Sequence, residues 1–406
     1  MTVLLVANRG EIARRIFRTA RRMGLRTVAV HSEADSGMPF AREADVAVCI
    51  GPAPARESYL DVERIVHAAR ETGADLIHPG YGFLAESPDL AVAAAEAGIR
   101  FVGPTPEVLR ALGDKAQAKE IARRAGVPVL PGHASEDQRD EAFLDGARRI
   151  GYPVMVKPLT GGGGIGMQRV RDEAGLLEAL AKARRIAAAS FGDERLMLER
   201  LVERPRHIEV QVLADTYGGI VALGERDCST QRRHQKVLEE TPAPSLQDAQ
   251  RKALAEAAIA IAREAAYTNA GTVEFAFDEK GGFFFLEVNA RLQVEHPVTE
   301  MVWDVDLVEQ QLRIALGERL ALKEPAPRGH AIEVRVYAED VDAGFLPSSG
   351  PLLHARWPDG VRIDAGYEEG DLVTRHYDPL IAKLIAHGPH RKLALAKLES
   401  ALAGTE

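Results

Sequence analysis

Residues 271–300 read GTVEFAFDEKGGFFFLEVNARLQVEHPVTE, and this stretch decides the architecture. Two runs of alternating apolar and polar residues, 271–277 and 283–289, flank a glycine-containing turn, which is the pattern of a β-hairpin. With Lys280 and Gly281 as a two-residue turn, Glu274 falls directly across from Glu287. Val273, Phe275 and Phe277 then meet Phe284, Leu286 and Val288 on the opposite face, so one side packs and the other carries carboxylates. Like charges directly opposed destabilise a sheet. Paired hard oxygens are, however, what Mg²⁺ held with nucleotide phosphates requires. Asn289 returns to the face of Glu287 and offers another oxygen. The plain alternative is a solvated acidic hairpin.

Working outward, residues 161–166 read GGGGIG. Glycines let backbone N–H groups approach phosphate oxygens closely. Met167 and Gln168 stand where a Walker A loop needs Lys and Ser or Thr, so this is no P-loop. Strands predicted at 154–156 and 168–170 make the run a mobile flap between two strands, with Lys157 at its base. A second cluster, Arg226, Arg232, Arg233, His234 and Lys236, is dense in positive charge for an acidic chain and reads as a pocket for a small anion or as a surface patch. Arg291, Gln293 and His296 lie just past the hairpin and can converge on it. His207 alternates with Ile208 as Glu209 and Gln211 do with their apolar neighbours. A lone histidine on such a polar strand face is usually structural.

Toward the N-terminus, strands predicted at 3–7, 27–31, 46–50, 76–78 and 101–102 alternate with helices at 11–23, 62–71 and 89–97, the pattern of a doubly wound parallel α/β sheet. Ligands bind such sheets beyond the strand carboxyl ends, here after Ala7 and His78. The first loop carries no GxGxxG, which argues against a nicotinamide dinucleotide. A strand-rich unit follows, with a long helix at 249–265, a helix at 307–316, a strand at 332–337, a last helix at 391–403 and a linker at 323–328. The expected division is 1–114, then 115–325 with a lid at about 131–203, then an α+β unit at 326–406.

The 406 residues allow several domains. Hydrophobic residues at 46% and charged ones at 27% fit a globular chain and exclude wholesale disorder. A net charge of −9 argues against nucleic acid as a partner. The N-terminal apolar run is too short for a secretory signal, no stretch is long enough for a membrane helix, and the two cysteines form no CxxC. The cytoplasm is the expected location.

Five motifs in order, HPGYGFLAES (78–87), the glycine flap, ERDCSTQRRHQK (225–236), EETPAP (239–244) and EVNARLQVEHPVTE (287–300), make the chain resemble the biotin carboxylases of the ATP-grasp superfamily over essentially its whole length. The resemblance implies ATP-dependent carboxylation of biotin by bicarbonate through carboxyphosphate, and a homodimer. It places Lys115, Lys157, Gly163, Gly164, Glu199, Val202, His207, Gln231 and His234 at the nucleotide, with the backbone of 199–202 at adenine. It places Glu274, Glu287 and Asn289 at Mg²⁺ or Mn²⁺, and Lys236, Arg291, Gln293 and Val294 at bicarbonate. It makes Glu295 the base that deprotonates bicarbonate and Arg335 the stabiliser of the biotin enolate, with Tyr81 near biotin. The implied partners are a biotin carboxyl carrier and a carboxyltransferase.

Three features depart from the family pattern. Ile165 and Gln168 stand where most relatives have cations, as in urea carboxylases, whereas His78 and Lys115 look more like the acyl-CoA and pyruvate carboxylases. An acyl-CoA acceptor is favoured over urea. None of the seven methionines precedes a lysine, so biotin is expected on a carrier outside this chain. The C-terminal unit reads as truncated. The competing readings are another ATP-grasp ligase and a noncatalytic nucleotide-binding module.

Overall fold

The computed structural model describes residues 1–160, 164–233, 235–322 and 326–406. Five parallel strands open the chain, in the spatial order Val46–Cys49, Arg26–His31, Val3–Val6, Leu76–His78, Arg100–Phe101. This is the expected doubly wound sheet. The order reverses at Val3–Val6, and ligand crevices form at such a reversal. There the two loops are tied together: Asn8 Nδ2 donates to the carbonyls of Pro79 and Tyr81, each at 2.7 Å. Gly80 has φ +66°, and a Cβ on it would stand 2.9 Å from Asn8 Nδ2, so the close approach requires glycine.

A four-stranded antiparallel sheet forms the lid, in the order Gly132–His133, Leu196–Arg200, Val154–Pro158, Gln168–Val170. Helices Asp140–Ile150 and Leu176–Phe191 cover it. Phe143, Ala147, Leu180 and Ala183 from these helices join Val154, Val156, Leu196 and Leu198 in a core of the lid's own. The glycine flap joins Val154–Pro158 to Gln168–Val170, but Gly163 and its two preceding glycines lie outside the described residues, as do His234 and residues 323–325 of the expected linker.

The dominant sheet has eight antiparallel strands, in the order Phe283–Asn289, Asn269–Phe277, Arg206–Ala214, Ile220–Arg232, Gln235–Thr241, His330–Tyr337, Leu380–Gly388, Arg362–Ala365. Its last three strands follow residue 325, so the sheet runs straight through the division expected there. One face packs Ile208, Val210, Val212, Val273 and Phe275 against Leu254, Ala258 and Ile261 of the helix Asp248–Glu264. The other face is polar and lies toward the lid and the first sheet. Of the basic cluster, Arg226 lies within the strand Ile220–Arg232, while Arg232 and Lys236 lie where that strand and Gln235–Thr241 meet at their ends.

The hairpin corrects one expectation. Glu274 does pair with Glu287, but Phe277 pairs with Phe283 and Phe275 with Phe285. The turn is therefore a three-residue loop, 279–281. The Asp278 carboxylate accepts the N–H groups of Lys280 at 2.9 Å and Gly282 at 2.7 Å, and Gly281 takes φ +86°. The longer loop shifts the register by one residue, and a bulge at Leu286 shifts it back before Glu287 is reached. Phe285, not Leu286, is thus the fully buried partner of Phe275.

Candidate functional site

Strand alternation builds a charged row on the polar face. Glu287 is paired with Glu274, Glu274 with Glu209, and Glu209 with Arg226 on four successive strands. Farther along, Glu239 is paired with Glu333, Arg335 with Lys383, and Lys383 with Asp364. So many charges on one face are tolerated because opposite signs meet at short range. Arg226 is fully buried and donates to Glu209 at 2.5 Å, to Gln211 at 2.9 Å, and to Thr299 and Thr272 at 3.0 and 3.1 Å. Removing one member of such a buried set strands its partner, a cost of about 3 to 5 kcal/mol.

Lys236 is the hub. Its ammonium donates to Glu209 at 2.6 Å, to Glu274 at 2.8 Å and to Glu295 at 2.8 Å. Arg335 donates to Glu239 at 2.8 Å and to the other oxygen of Glu295 at 3.1 Å. Burial pushes the Glu295 carboxyl up, but Lys236, Arg335 and Arg226 overcome it and hold the group well below the usual carboxylate range. Burial likewise opposes the ionisation of Glu274, and Lys236 and His207 outweigh it. Glu287 behaves differently: burial and the charge of Glu274 raise its pKa, with Lys115 opposing them. Burial pushes Glu239 up to about 7 despite Arg335.

Around this face lies a cavity of about 1480 Å³ between the lid, the large sheet and the loops of the first sheet. Tyr81, Lys115, Lys157, Gly164, Glu199, Val202, His207, Gln231, Lys236, Glu274, Glu287, Asn289, Arg291, Gln293, Val294 and Arg335 all line it. Glu295 lies beneath the lining, fully buried, and reaches it through Lys236 and Arg335. One cavity therefore gathers every described residue that the resemblance placed at the site, apart from this carboxylate immediately below; Gln168, Arg226, Arg232 and the fully buried His296 do not line it.

Local contacts refine several expectations. Lys157, expected at phosphate, forms an ion pair with the buried Glu199, which also binds Lys119. His207 Nε2 is 2.8 Å from Glu274, and its Nδ1 is 3.2 Å from Gln231 Nε2. Asn289 Nδ2 donates to Glu274 at 2.7 Å, while its Oδ1 accepts from Arg291 at 3.0 Å. Gln293 also donates to Glu274, at 3.1 Å. Arg291 is held from the first sheet by Glu86 at 3.2 Å. Tyr81 donates its hydroxyl to Glu11.

The sequence reading missed Glu86, Lys119, Glu209 and Lys383, and the apolar lining Met155, Met197, Leu201 and Leu286. Glu209 was legible, since its alternation puts it on the face of His207. Leu286 was not, because only the bulge turns it toward the cavity.

Residues 1–109 match the Biotin carboxylase, N-terminal domain family; residues 114–323 match the Carbamoyl-phosphate synthase L chain, ATP binding domain; residues 333–406 match the Biotin carboxylase C-terminal domain. Biotin carboxylase 2 of Bacillus subtilis is 50% identical over 406 residues, covering 99% of this chain and 91% of that protein. The chain belongs to the biotin carboxylase family. A crystal structure of a biotin carboxylase–β,γ-ATP complex from Campylobacter jejuni superposes with a TM-score of 0.96 at 42% identity, over 100% of this chain and 91% of the other. The biotin carboxylase domain of Hydrogenobacter thermophilus 2-oxoglutarate carboxylase, in complex with MgADP, ADP and bicarbonate, gives 0.96 at 44% identity, over 100% and 90% of the two chains. The alpha subunit of rat methylcrotonoyl-CoA carboxylase is 50% identical over 99% of this chain but only 57% of its own length. The chain thus spans little more than half of the methylcrotonoyl-CoA carboxylase subunits it matches.

Proposed function

We propose that this chain carries out the first half-reaction of a biotin-dependent carboxylase: ATP and bicarbonate give carboxyphosphate, whose carboxyl group passes to biotin on a carrier. The observation that carries the reading is the Lys236–Glu295–Arg335 arrangement on the cavity floor, where one buried carboxylate lies between two cations. Lys236, Arg291, Gln293 and Val294 hold bicarbonate, with the planar guanidinium matching a carboxylate-like anion. Glu295 takes the bicarbonate proton. An anion at Lys236 competes with Glu295 for the ammonium, which raises the basicity of Glu295 when it is needed. Arg335 stabilises the negative charge that develops on the ureido oxygen of biotin, and Tyr81 borders that end of the site.

The nucleotide lies along Lys115, Lys157, Gly163, Gly164, Glu199, Val202, His207, Gln231 and His234, with Met155, Met197 and Leu286 as an apolar slot. The donor set fits a divalent cation: Glu274 raises the proton affinity of Glu287, a repulsion that a bound cation would relieve. Glu274, Glu287 and Asn289 would hold it. Bound there, Mg²⁺ or Mn²⁺ supplies neutralisation of phosphate charge and polarisation of the γ-phosphoryl group.

The three-part division 1–114, 115–325 with its lid at 131–203, and 326–406 follows this reading. A biotin carboxyl carrier and a carboxyltransferase complete the enzyme, the chain pairs with a second copy, and an acyl-CoA is the favoured acceptor, in keeping with the methylcrotonoyl-CoA carboxylase relatives. Cytoplasmic location belongs to the same proposal; among the described residues no helix is long and apolar enough to cross a membrane. ATP hydrolysis with and without bicarbonate and free biotin tests the whole. Turnover that needs both supports it, and turnover indifferent to both refutes it.

A further inference from the structure

Lys383 has no exposed surface and stands on the strand Leu380–Gly388, directly across from Arg335 on one side and Asp364 on the other. Its ammonium donates to the backbone carbonyl of Val294 at 2.8 Å and lies 3.1 Å from Glu11 Oε1. It also lies 5.8 Å from the centre of the Tyr81 ring, and the same Glu11 oxygen accepts the Tyr81 hydroxyl. Glu11 opens the helix Gly10–Arg22 of the first sheet, whereas Val294 separates Gln293 from Glu295. One cation therefore fastens three pieces of chain remote in sequence.

A buried ammonium is costly unless paired, and Lys383 finds partners that each belong to the wall of the cavity. Pairing with Asp364 or Glu11 alone would satisfy its charge. The bond to Val294 does more, because it fixes a peptide between two of the residues assigned to the reacting anion. Through Glu11 the same cation fixes the Tyr81 rim.

We propose that Lys383 is a positioning residue that holds the 291–295 loop and the Tyr81 rim in one wall, so that the anion and the biotin ring meet in register. This rests on the bicarbonate and biotin reading of those residues. Lys383 touches neither; it acts through Val294, Glu11 and Tyr81.

The test uses the full chain with MgATP, bicarbonate and free biotin. Lys383→Met is expected to raise KM for bicarbonate and for biotin about tenfold or more while KM for ATP stays within about twofold, and Lys383→Arg is expected to recover part of the loss. Because Lys383→Met strands Glu11, the paired variant Glu11→Gln/Lys383→Met is measured as well. It is expected to regain melting temperature without regaining either KM. Hydrogen exchange at residues 291–296 reads the loop directly, with faster exchange expected in the paired variant. Unchanged exchange there, or unchanged KM for both bicarbonate and biotin in a folded variant, overturns the inference, and so does an equal rise in KM for ATP. Wild-type turnover that ignores bicarbonate and biotin overturns the proposed function instead, and the exchange measurement still decides whether Lys383 holds the loop.

Discussion

Glu274 faces Glu287 across neighbouring antiparallel strands, yet the two carboxylates differ in character. Cations hold Glu274 well below the usual range, while burial and Glu274 itself push Glu287 up. The proposed metal role accounts for the second acid. Glu287→Gln should therefore lower Mg²⁺-dependent ATP turnover about a hundredfold or more, since metal polarisation contributes several kcal/mol. The melting temperature should hold or rise, because the substitution removes a repulsion. A folded Glu287→Gln protein with metal-dependent turnover near wild type would sink the assignment.

Arg335→Ala should cripple biotin carboxylation and leave nucleotide affinity within about threefold, because its charge is required where the ureido oxygen becomes anionic. The structure adds a second effect. Glu239 and Glu295 both lose a donor, so thermal stability falls too. Equilibrium binding of ADP, compared with biotin-dependent turnover, separates the roles. A parallel collapse of ADP affinity counts against the biotin role.

Glu239 gives a pH signature. Its folded pKa of about 7 lies above the ordinary glutamate value of about 4.3. Between these values the folded chain keeps a proton that the unfolded chain has released. The contribution of Glu239 to stability is therefore full at low pH and is lost as pH rises toward 7. Glu239→Gln has no such proton to lose. Relative to wild type, its stability should rise between about pH 5.5 and 7.5 by on the order of 1 to 2 kcal/mol. Denaturant midpoints at the two pH values measure this. A flat difference would mean that Arg335 keeps Glu239 ionised throughout.

Ile165 is half exposed and lines the cavity from the flap. Ile165→Arg should add a charge-assisted contact to bound nucleotide and tighten the productive ATP complex by up to about tenfold. Weaker ATP binding together with slower bicarbonate-dependent turnover would instead assign the isoleucine a packing role against the closed lid.

Much of this site is legible in alternation. Period-two patterning puts Glu274 and Glu287 on one face of the hairpin and His207 on the polar face of its own strand, and the alternation of strands with helices predicts the first sheet. The Glu274–Glu287 pairing was reached through the wrong turn, however. A three-residue loop and a compensating bulge at Leu286 cancel, and neither leaves a mark in the hydrophobic pattern. Lys383 shows the other limit. In the strand LIAKLIAHG it looks like a stray charge, and its partners Glu11 and Val294 come from distant segments that only the assembled sheets bring together. The pairing of Lys157 with Glu199 is hidden for the same reason, since it depends on which lid strands are neighbours.

The lid carries its own sheet and its own apolar core, and among the described residues its elements pack broadly only against one another. Lys119 from the helix Lys115–Arg124 reaches across to its Glu199. Swinging such a unit breaks no internal ladder. The amides of Val154–Pro158 and Leu196–Arg200 should thus stay protected from solvent deuterium in open and closed forms alike, and the change on nucleotide binding should be read at the seam where Lys119 meets Glu199. Preserved protection of those strands would make opening a matter of hinge mechanics rather than of partial melting.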